Sequence, residues 1–130
     1  MKKIFLSCMV ATLFAATSVS AGLKTQSVAY SANGSNMEGY VAYDDANNSQ
    51  RPGILIVHDW MGLGAFTKEK ADQLAKQGYV AFAVDIYGKG NNPHNQQEAG
   101  ALATQYKQDR NLLRRRIHAA YDKLVAMKQV

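Results

Sequence analysis

Polar and aromatic side chains follow two apolar runs of this 130-residue chain, at the point where each run ends. His58, Asp59 and Trp60 come directly after one run, and Asp85 and Tyr87 end the other. Histidine and a carboxylate are the residue types that hydrolases use as base and orienting acid. Parallel α/β sheets bind their ligands at the carboxyl ends of their strands. The sequence therefore predicts one site, built from both run ends.

The two apolar runs have the pattern of buried strands. Ile54–His58 begins with four consecutive apolar residues rich in β-branching, which is typical of a strand covered on both faces in a parallel sheet. Tyr79–Asp85 is predicted to be a second buried strand. Between them, Phe66–Gly78 has apolar residues at helical spacing, with Thr67 as the expected N-cap and Gly78 as the expected C-cap. Strand, helix and strand in this order predict a right-handed βαβ unit.

Antiparallel strands are expected before this unit and helices after it. Asn33–Gly34 lies between the alternating runs Ser27–Ala32 and Glu38–Asp44, and suits a hairpin turn with positive φ. The segment 98–130 has an apolar stripe of helical period and fits either one long helix or two that break near Gln108–Asp109. A strand should follow in a βαβα series, so we expect a fold that stops short of its next strand. The stripe comprises Leu102, Tyr106, Leu112, Leu113, Ile117, Ala120, Tyr121 and Leu124.

The first 21 residues are predicted to be a secretory signal peptide. Two lysines, an apolar run, and Val19 and Ala21 at the −3 and −1 positions predict cleavage after Ala21. The run is too short to be a stable membrane anchor, and Cys8 lies too early in it for a lipoprotein signal. We therefore expect export to the periplasm or the medium. Residues 22–130 then form one partial α/β domain, which contains no cysteine and hence no disulfide.

The formal net charge of +5 owes much to three adjacent arginines, Arg114–Arg116. They spread over most of a helix turn and do not alternate with aromatic residues, so they predict a solvated helix face rather than a nucleic-acid interface. His118 has Asp122 as its single carboxylate neighbour at helical spacing, which is too few ligands for a metal. We expect no nucleic-acid partner and no metal.

Glycines in the loop after the first run partly match the dinucleotide-binding fingerprint. Gly62 and Gly64 fit its first two positions, and Asp85 follows about twenty residues later. Against this reading, Thr67 replaces the third glycine and His58–Met61 separates the strand from the first one. An exported protein also meets little NAD. We therefore expect no nucleotide cofactor.

The same loop fits the third-strand loop of an α/β-hydrolase. If the hairpin supplies the first two strands, residues 58–64 lie where this fold donates a backbone N–H to the oxyanion hole. A glycine there, such as Gly62, lets the backbone approach a substrate closely. Tyr87 either lines the same pocket or packs beneath it. Asp85 is expected to fix the loop after its strand rather than to catalyse.

Three segments together carry a resemblance to a known family. They read VHDWMGLGAF from Val57, LAKQGYVAFAVDIYGKG from Leu74, and EAGAL followed by DRNLLRRRIHAAYDKL from Glu98. This combination resembles the amino-terminal half of the dienelactone hydrolase family, over about Gly39 to Leu124. The resemblance implies an α/β-hydrolase fold and hydrolysis of the ester or lactone bond of a small molecule, without a cofactor.

The resemblance also implies roles for the loop residues. Asp59 matches the acid, commonly Glu, that lies beside the family's nucleophile and helps to activate it, although its side chain is one methylene shorter. The backbone N–H of Trp60 corresponds to an oxyanion donor. His58 either orients Asp59 or caps the strand end. The arginine that binds a substrate carboxylate in the family has no match near Glu98–Leu102, so an anionic dienelactone is not supported.

No nucleophile is identified in this sequence. Residues 22–130 contain no cysteine, and none of their serines stands in a G-x-S-x-G elbow. A Cys or Ser nucleophile, the later acid and the catalytic histidine would follow Val130. We expect a partial chain of an exported ester or lactone hydrolase that is inactive and poorly soluble alone. The alternative is a non-catalytic exported α/β module, with a binding or structural role, that pairs with a chain covering its open sheet edge. The serines are Ser27, Ser31, Ser35 and Ser49.

Overall fold

The computed structural model describes residues 22–46 and 48–130, so the predicted signal peptide lies outside the described residues. These residues form four strands in one sheet, with the order β1-β2-β4-β3, and three helices. None of the helices in this part of the chain has the length and apolar character needed to cross a membrane. The elements are β1 (Leu23–Ala32), β2 (Ser35–Asp44), β3 (Gly53–Val57), α1 (Ala65–Lys76), β4 (Val80–Val84), α2 (Gln96–Gln108) and α3 (Arg110–Val125).

The predicted hairpin is confirmed. Strands β1 and β2 pair antiparallel over their whole length, from Leu23 opposite Asp44 to Ala32 opposite Ser35. The two residues between them, Asn33 and Gly34, have φ angles of 51° and 77°. Positive φ at both positions gives the turn whose twist matches the twist of the flanking strands. Both strands start earlier than their alternating patterns predict, because residues 23–26 and 35–37, which precede those patterns, continue the pairing.

Strand β4 lies at the centre of the sheet, between β2 and β3, and all of its residues are buried. Its larger side chains, Val80, Phe82 and Val84, belong to the main core cluster, together with Leu124 of α3. Ala81 points to the other face, where it packs with two alanines of α1. Alternate residues of a strand face opposite sides, so β4 separates a large apolar layer from a thin one. The second cluster comprises Ala42, Ala71, Ala75 and Ala81.

Strand β3 pairs with β4 in parallel, as predicted, from Gly53 opposite Val80 to Val57 opposite Val84. Among the described residues it has this one partner, so its other edge is open. Its side chains are half-buried or exposed, and Val57 is 49% exposed. Leu55 packs against the main core cluster and Ile56 against the second cluster, so both faces of β3 are covered in part, as predicted, while its edge is open.

Helix α1 follows the predicted course but begins earlier than predicted. Its N-cap is Gly64, with no side-chain hydrogen bond, and Thr67 is buried within the first turn. The expectation of a Thr67 cap is therefore wrong, because this side chain points into the protein. At the other end, the N–H groups of Gly78 and Tyr79 bond back to carbonyls of the last turn. The C-cap is Gln77, one residue before the predicted Gly78, and Gly78 follows it with a φ of 97°, the usual place of a helix-closing glycine.

The carboxyl-terminal helical segment is two helices. The break falls at Asp109, and its carboxylate accepts a hydrogen bond from the Leu112 N–H at 2.8 Å, which caps the start of α3. Asn95 caps α2 in the same way, through a bond of 2.9 Å from the Glu98 N–H. Helix α3 packs against β1, β3 and β4, and α2 packs against α3 and reaches the strand ends through Tyr106, whose ring centroid is 5.4 Å from that of Tyr87.

Candidate active site

The ends of β3 and β4 lie side by side, as the sequence predicts, and His58 joins them. The N–H of Ile86, just beyond β4, bonds to Nε2 of His58 at 3.2 Å. Because Nε2 accepts, the ring proton is on Nδ1, which donates to the Asp59 carbonyl at 2.6 Å. We call these two hydrogen bonds the His58 bridge. They connect backbone groups of both strand ends and do not involve the Asp59 carboxylate, so they support the strand-end role of His58.

The surroundings of His58 favour its neutral form. Desolvation lowers the pKa of its imidazole below the ordinary value of 6.5, and the bond to Asp59 and the carboxylate of Asp85 oppose this only in part. The ring also meets Tyr87 edge-on, with centroids 4.8 Å apart. A neutral ring can accept and donate at once, which the His58 bridge requires.

The β3 loop, which we define as residues 58–64, turns sharply at Asp59. The Asp59 carboxylate accepts a bond from the Met61 N–H at 2.8 Å, and its carbonyl accepts one from the Gly62 N–H at 3.2 Å. This side-chain-to-backbone turn is typical of Asp. The carboxylate is exposed at the rim of the site, and its charge is close enough to contribute to raising the pKa of Tyr87.

Trp60, the next residue of the β3 loop, is held through its carbonyl. The Tyr87 hydroxyl donates to this carbonyl at 2.9 Å. Burial, with a smaller effect of the Asp59 charge, raises the pKa of Tyr87, so this hydroxyl keeps its proton and remains a donor. The indole is 45% exposed. Within the described part of the chain, the Trp60 N–H makes no hydrogen bond, which leaves it available to a ligand.

Gly62 allows the β3 loop to pack against the segment that leads into α2. It has a φ of 86°, and a Cβ added there would lie 2.6 Å from Oδ1 of Asn92. Any larger residue would therefore strain the backbone and displace Asn92. The close neighbour of Gly62 is thus part of the protein. Its predicted contact with substrate stays a prediction.

The β4 segment, which we define as residues 85–88, is fixed by the buried carboxylate of Asp85. This carboxylate accepts hydrogen bonds from the N–H of Gly88 at 2.8 Å and from the N–H of Glu38 at 3.0 Å. The Tyr30 hydroxyl donates to the Asp85 carbonyl and accepts from its N–H, and burial raises the pKa of Tyr30 to about 12. These bonds agree with the predicted loop-fixing role of Asp85.

Arg116 of α3 also holds the β4 segment. It is 8% exposed, and its guanidinium donates to the Ile86 carbonyl at 2.5 Å and lies 5.3 Å from the ring centroid of Tyr106. The prediction of a solvated arginine face is therefore wrong for Arg116, although Arg114 and Arg115 are exposed. Conversely Tyr121, which the sequence places in the apolar stripe, is 52% exposed.

A cleft of about 210 Å³ opens where these groups meet. It contains four of the predicted site residues, and Gly62 is not among its walls. The walls are mainly apolar, with Asp59 as the carboxylate and Lys107 as the ammonium group. Tyr106 and Lys107, both from α2, were not predicted as site residues; Tyr106 was marked by the apolar stripe, and nothing in the sequence marked Lys107. The cleft is lined by Val57, His58, Asp59, Trp60, Ile86, Tyr87, Ala103, Tyr106, Lys107 and Leu113.

The side chains of this cleft can bind and polarise a ligand but include no Ser, Thr or Cys. A larger cavity of about 490 Å³ lies at the opposite ends of the strands, around Asp44, Arg51 and Lys128. Arg51 and Asp44 are 3.7 Å apart there and pair with each other. Over residues 22–46 and 48–130, no group of three or more His, Cys, Asp or Glu is arranged to hold a metal ion. The strand-end cleft is therefore the candidate active site.

Two curated proteins are similar in sequence to this chain. The chain is 35% identical over 88 residues to the protein named "Protein usf" of Aquifex pyrophilus, covering 65% of this chain and 36% of the relative. It is 39% identical over 83 residues to the "Putative carboxymethylenebutenolidase" of Aquifex aeolicus strain VF5, covering 62% and 34%. The chain thus spans about a third of the length of each curated relative.

Structural and family comparisons agree with these relatives. The solved structure of a protein named m3DLH superimposes with a TM-score of 0.79 at 27% identity, over 83% of this chain and 45% of that one. The model of the dienelactone hydrolase family matches residues 37–130, which include both strand ends, the His58 bridge and all three helices. The resemblance expected from the sequence and the α/β-hydrolase fold are both confirmed. The chain belongs to the dienelactone hydrolase family.

Proposed function

We propose that this chain supplies the oxyanion side of a site that hydrolyses carboxylic ester or lactone bonds. In this proposal the Trp60 N–H binds the carbonyl oxygen on which negative charge develops. Asp59 is the acid beside the nucleophile, which comes from sequence not present in these 130 residues. Residues 1–21 direct the protein to the periplasm or the medium and are removed there.

The observation that carries this proposal is the Trp60 N–H at the end of a parallel strand, which has no hydrogen-bond partner among the described residues. The carbonyl of the same residue is fixed by Tyr87 at 2.9 Å, and the preceding carbonyl is fixed by His58 at 2.6 Å. An oxyanion donor contributes because it is already in place when charge develops, so no energy is spent on orienting it during the reaction. The β3 loop has this property.

The cleft supports a neutral ester or lactone as the substrate class. Seven of its ten lining residues are aliphatic or aromatic without a charge at neutral pH, and one Asp and one Lys balance each other. Among the described residues, Lys107 is the one cationic side chain that lines the cleft, so no pair of positive side chains is there to hold a substrate carboxylate. We therefore expect turnover of uncharged small esters to exceed turnover of esters with a free carboxylate.

A chimera tests the oxyanion role. Residues 37–130, which the family model matches, replace the corresponding segment of the Aquifex aeolicus relative, and the rest of that relative is kept. The relative and the chimera are assayed with p-nitrophenyl acetate, and the full 130-residue chain is assayed beside them. We expect turnover by the chimera and none above background by the 130-residue chain.

The decisive variant in the chimera is Trp60→Pro, which removes the N–H of residue 60. We expect kcat to fall roughly hundredfold to thousandfold, the loss measured when one oxyanion donor is removed. Trp60→Ala is the matched control, because it keeps the N–H and removes only the indole. A folded Trp60→Pro chimera with the kcat of the Trp60→Ala chimera would contradict the proposal. Thermal unfolding of both variants separates this result from misfolding.

A second candidate function is the non-catalytic module that pairs with another chain. It is favoured by one observation, the open edge of β3 within the described residues, together with 49% exposure of Val57. Sedimentation of the full chain discriminates the two. A stable complex with a co-purified chain on that edge, with no ester turnover in the chimera, favours the module.

A further inference from the structure

We propose that His58 is a proton-sensitive positioning residue: its neutral ring ties the ends of β3 and β4 together, and a proton on Nε2 releases the β3 loop. This inference extends the proposed function, because the released loop carries the Trp60 N–H. The His58 bridge itself is a feature of the fold and is present whether or not the site hydrolyses esters.

Both ring nitrogens of His58 already make hydrogen bonds, so a second ring proton cannot be added without breaking one of them. Nε2 already accepts from the Ile86 N–H at 3.2 Å, and Nδ1 already donates to the Asp59 carbonyl. A proton on Nε2 would place two N–H donors against each other. The bond to Ile86 would then be replaced by repulsion, and the ring would have to turn or the two strand ends would have to separate.

Ile86 cannot easily follow the ring, because its carbonyl is held by Arg116 at 2.5 Å. The adjacent Asp85 carboxylate is bonded to two further N–H groups. The β3 loop has fewer constraints. It is exposed at Asp59 and Trp60, and beyond the His58 bridge its link to the β4 segment is the hydroxyl of Tyr87. The β3 loop is therefore the part that moves.

Charged and titratable groups reach His58 from three directions. Asp59 lies on its own loop, and Asp85 and Tyr87 lie on the β4 segment; Tyr106 and Lys107 line the same cleft from α2. The two carboxylates favour the imidazolium, whereas desolvation opposes it and prevails, so the pKa of His58 lies below 6.5. The unfolded chain therefore binds this proton more readily than the folded chain. The stability that the neutral ring contributes is complete above the ordinary pKa and is lost as the pH falls below it.

The chain carries its own probe for this event, since Trp60 is its only tryptophan. The test follows the emission of the full chain between about pH 7.5 and pH 5, the range in which histidine titrates. We expect a single transition with a midpoint below 6.5, the ordinary value for His58. In His58→Gln the amide oxygen can accept the Ile86 N–H but does not titrate, so the transition should be absent. His94→Gln and His118→Gln, at exposed positions, should keep it.

Amide hydrogen exchange separates loop release from quenching of Trp60 by a charged ring. After correction for intrinsic rates, protection of the Ile86 amide should fall roughly fivefold to tenfold at the low end of the range, the factor expected from losing one hydrogen bond. The same amide in His58→Gln should not change.

Three results would overturn the inference. They are a transition that persists in His58→Gln, a flat profile in the parent chain, and an emission change without loss of Ile86 protection. Neither readout requires ester turnover. An inactive chimera with an intact transition would therefore count against the proposed function alone, and an active chimera without the transition would count against the His58 bridge as a switch alone.

Discussion

The β4 segment is buried and held by side chains of β1 and α3 and by the backbone of β2, whereas the β3 loop is exposed at residues 59–61 and held mainly through its own backbone. Asp85 is 4% exposed and Trp60 is 45% exposed, although both stand at the ends of neighbouring parallel strands. The bonds that fix the β3 loop, from His58 and Tyr87, end on the β4 segment or begin there. We therefore call the β4 segment the support and the β3 loop the presented loop. The support is fixed by the rest of the protein, and the presented loop takes its position from the support.

The largest expected effect is the loss of the Asp85 carboxylate. Asp85→Ala leaves the N–H groups of Glu38 and Gly88 without their acceptor, and we expect the free energy of unfolding to fall by about 3 kcal/mol. Asp59→Ala removes one bond at an exposed position and should cost less than about 1 kcal/mol. Urea unfolding followed by circular dichroism measures both. Equal losses would remove the distinction between support and presented loop.

The next effect concerns the buried arginine. Arg116→Met keeps most of the apolar volume but leaves the Ile86 carbonyl unpaired, so we expect a loss of about 2 kcal/mol. Arg115→Met, one position away on the exposed face, should change stability by less than about 0.5 kcal/mol. The same urea experiment applies. If the two variants were equally stable, α3 would not be part of the support.

Substitution of Gly62 tests the packing between the β3 loop and the segment before α2. Gly62→Ala forces an L-residue into positive φ and against Asn92, and we expect a loss of about 1 to 2 kcal/mol. Gly64→Ala is the matched control, since nothing lies within 4 Å of an added Cβ there, and it should cost less than about 1 kcal/mol. Thermal unfolding ranks the pair, and a larger loss in Gly64→Ala would contradict this packing.

The smallest effect is expected from the bond to the Trp60 carbonyl. Tyr87→Phe removes the hydroxyl that donates to it, at a cost of about 1 kcal/mol. The emission of Trp60 should shift although the fold is retained. Tyr121→Phe, at an exposed position on α3, should change neither quantity. An unchanged Trp60 emission in Tyr87→Phe would show that the loop does not depend on this bond.

The hairpin, the strands β3 and β4 and the grouping of site residues at their ends could be predicted from local sequence patterns. The turn residues Asn33 and Gly34 predict the hairpin because few residues tolerate positive φ. The apolar runs predict β3 and β4, and the parallel pairing places His58, Asp59 and Trp60 beside Tyr87. Periodicity and turn chemistry act over a few residues, so a single sequence contains them.

Arg116 shows what local pattern leaves out. It lies four residues before Ala120 and four after Leu112, in line with the apolar stripe, but its charge led to the prediction of a solvated helix face. Its burial depends on the Ile86 carbonyl thirty residues earlier in the chain. The tautomer of His58 is set in the same way, by the Ile86 N–H across the sheet edge. The spacing of residue types along a sequence does not identify contacts between residues that are about thirty positions apart.

The β3 loop is held mainly by hydrogen bonds to its main-chain atoms, so its side chains are free to change during evolution. The carbonyls of Asp59 and Trp60 receive the fixing bonds, and the side chains of Trp60 and Met61 project outward at 45% and 39% exposure. Mutations at positions 60 and 61 can therefore change the exposed side chains of the β3 loop, including the cleft wall at Trp60, while the peptide groups stay where they are. Such a loop can accept new side chains by ordinary sequence drift, and a library at these two positions would measure how many of them the fold tolerates.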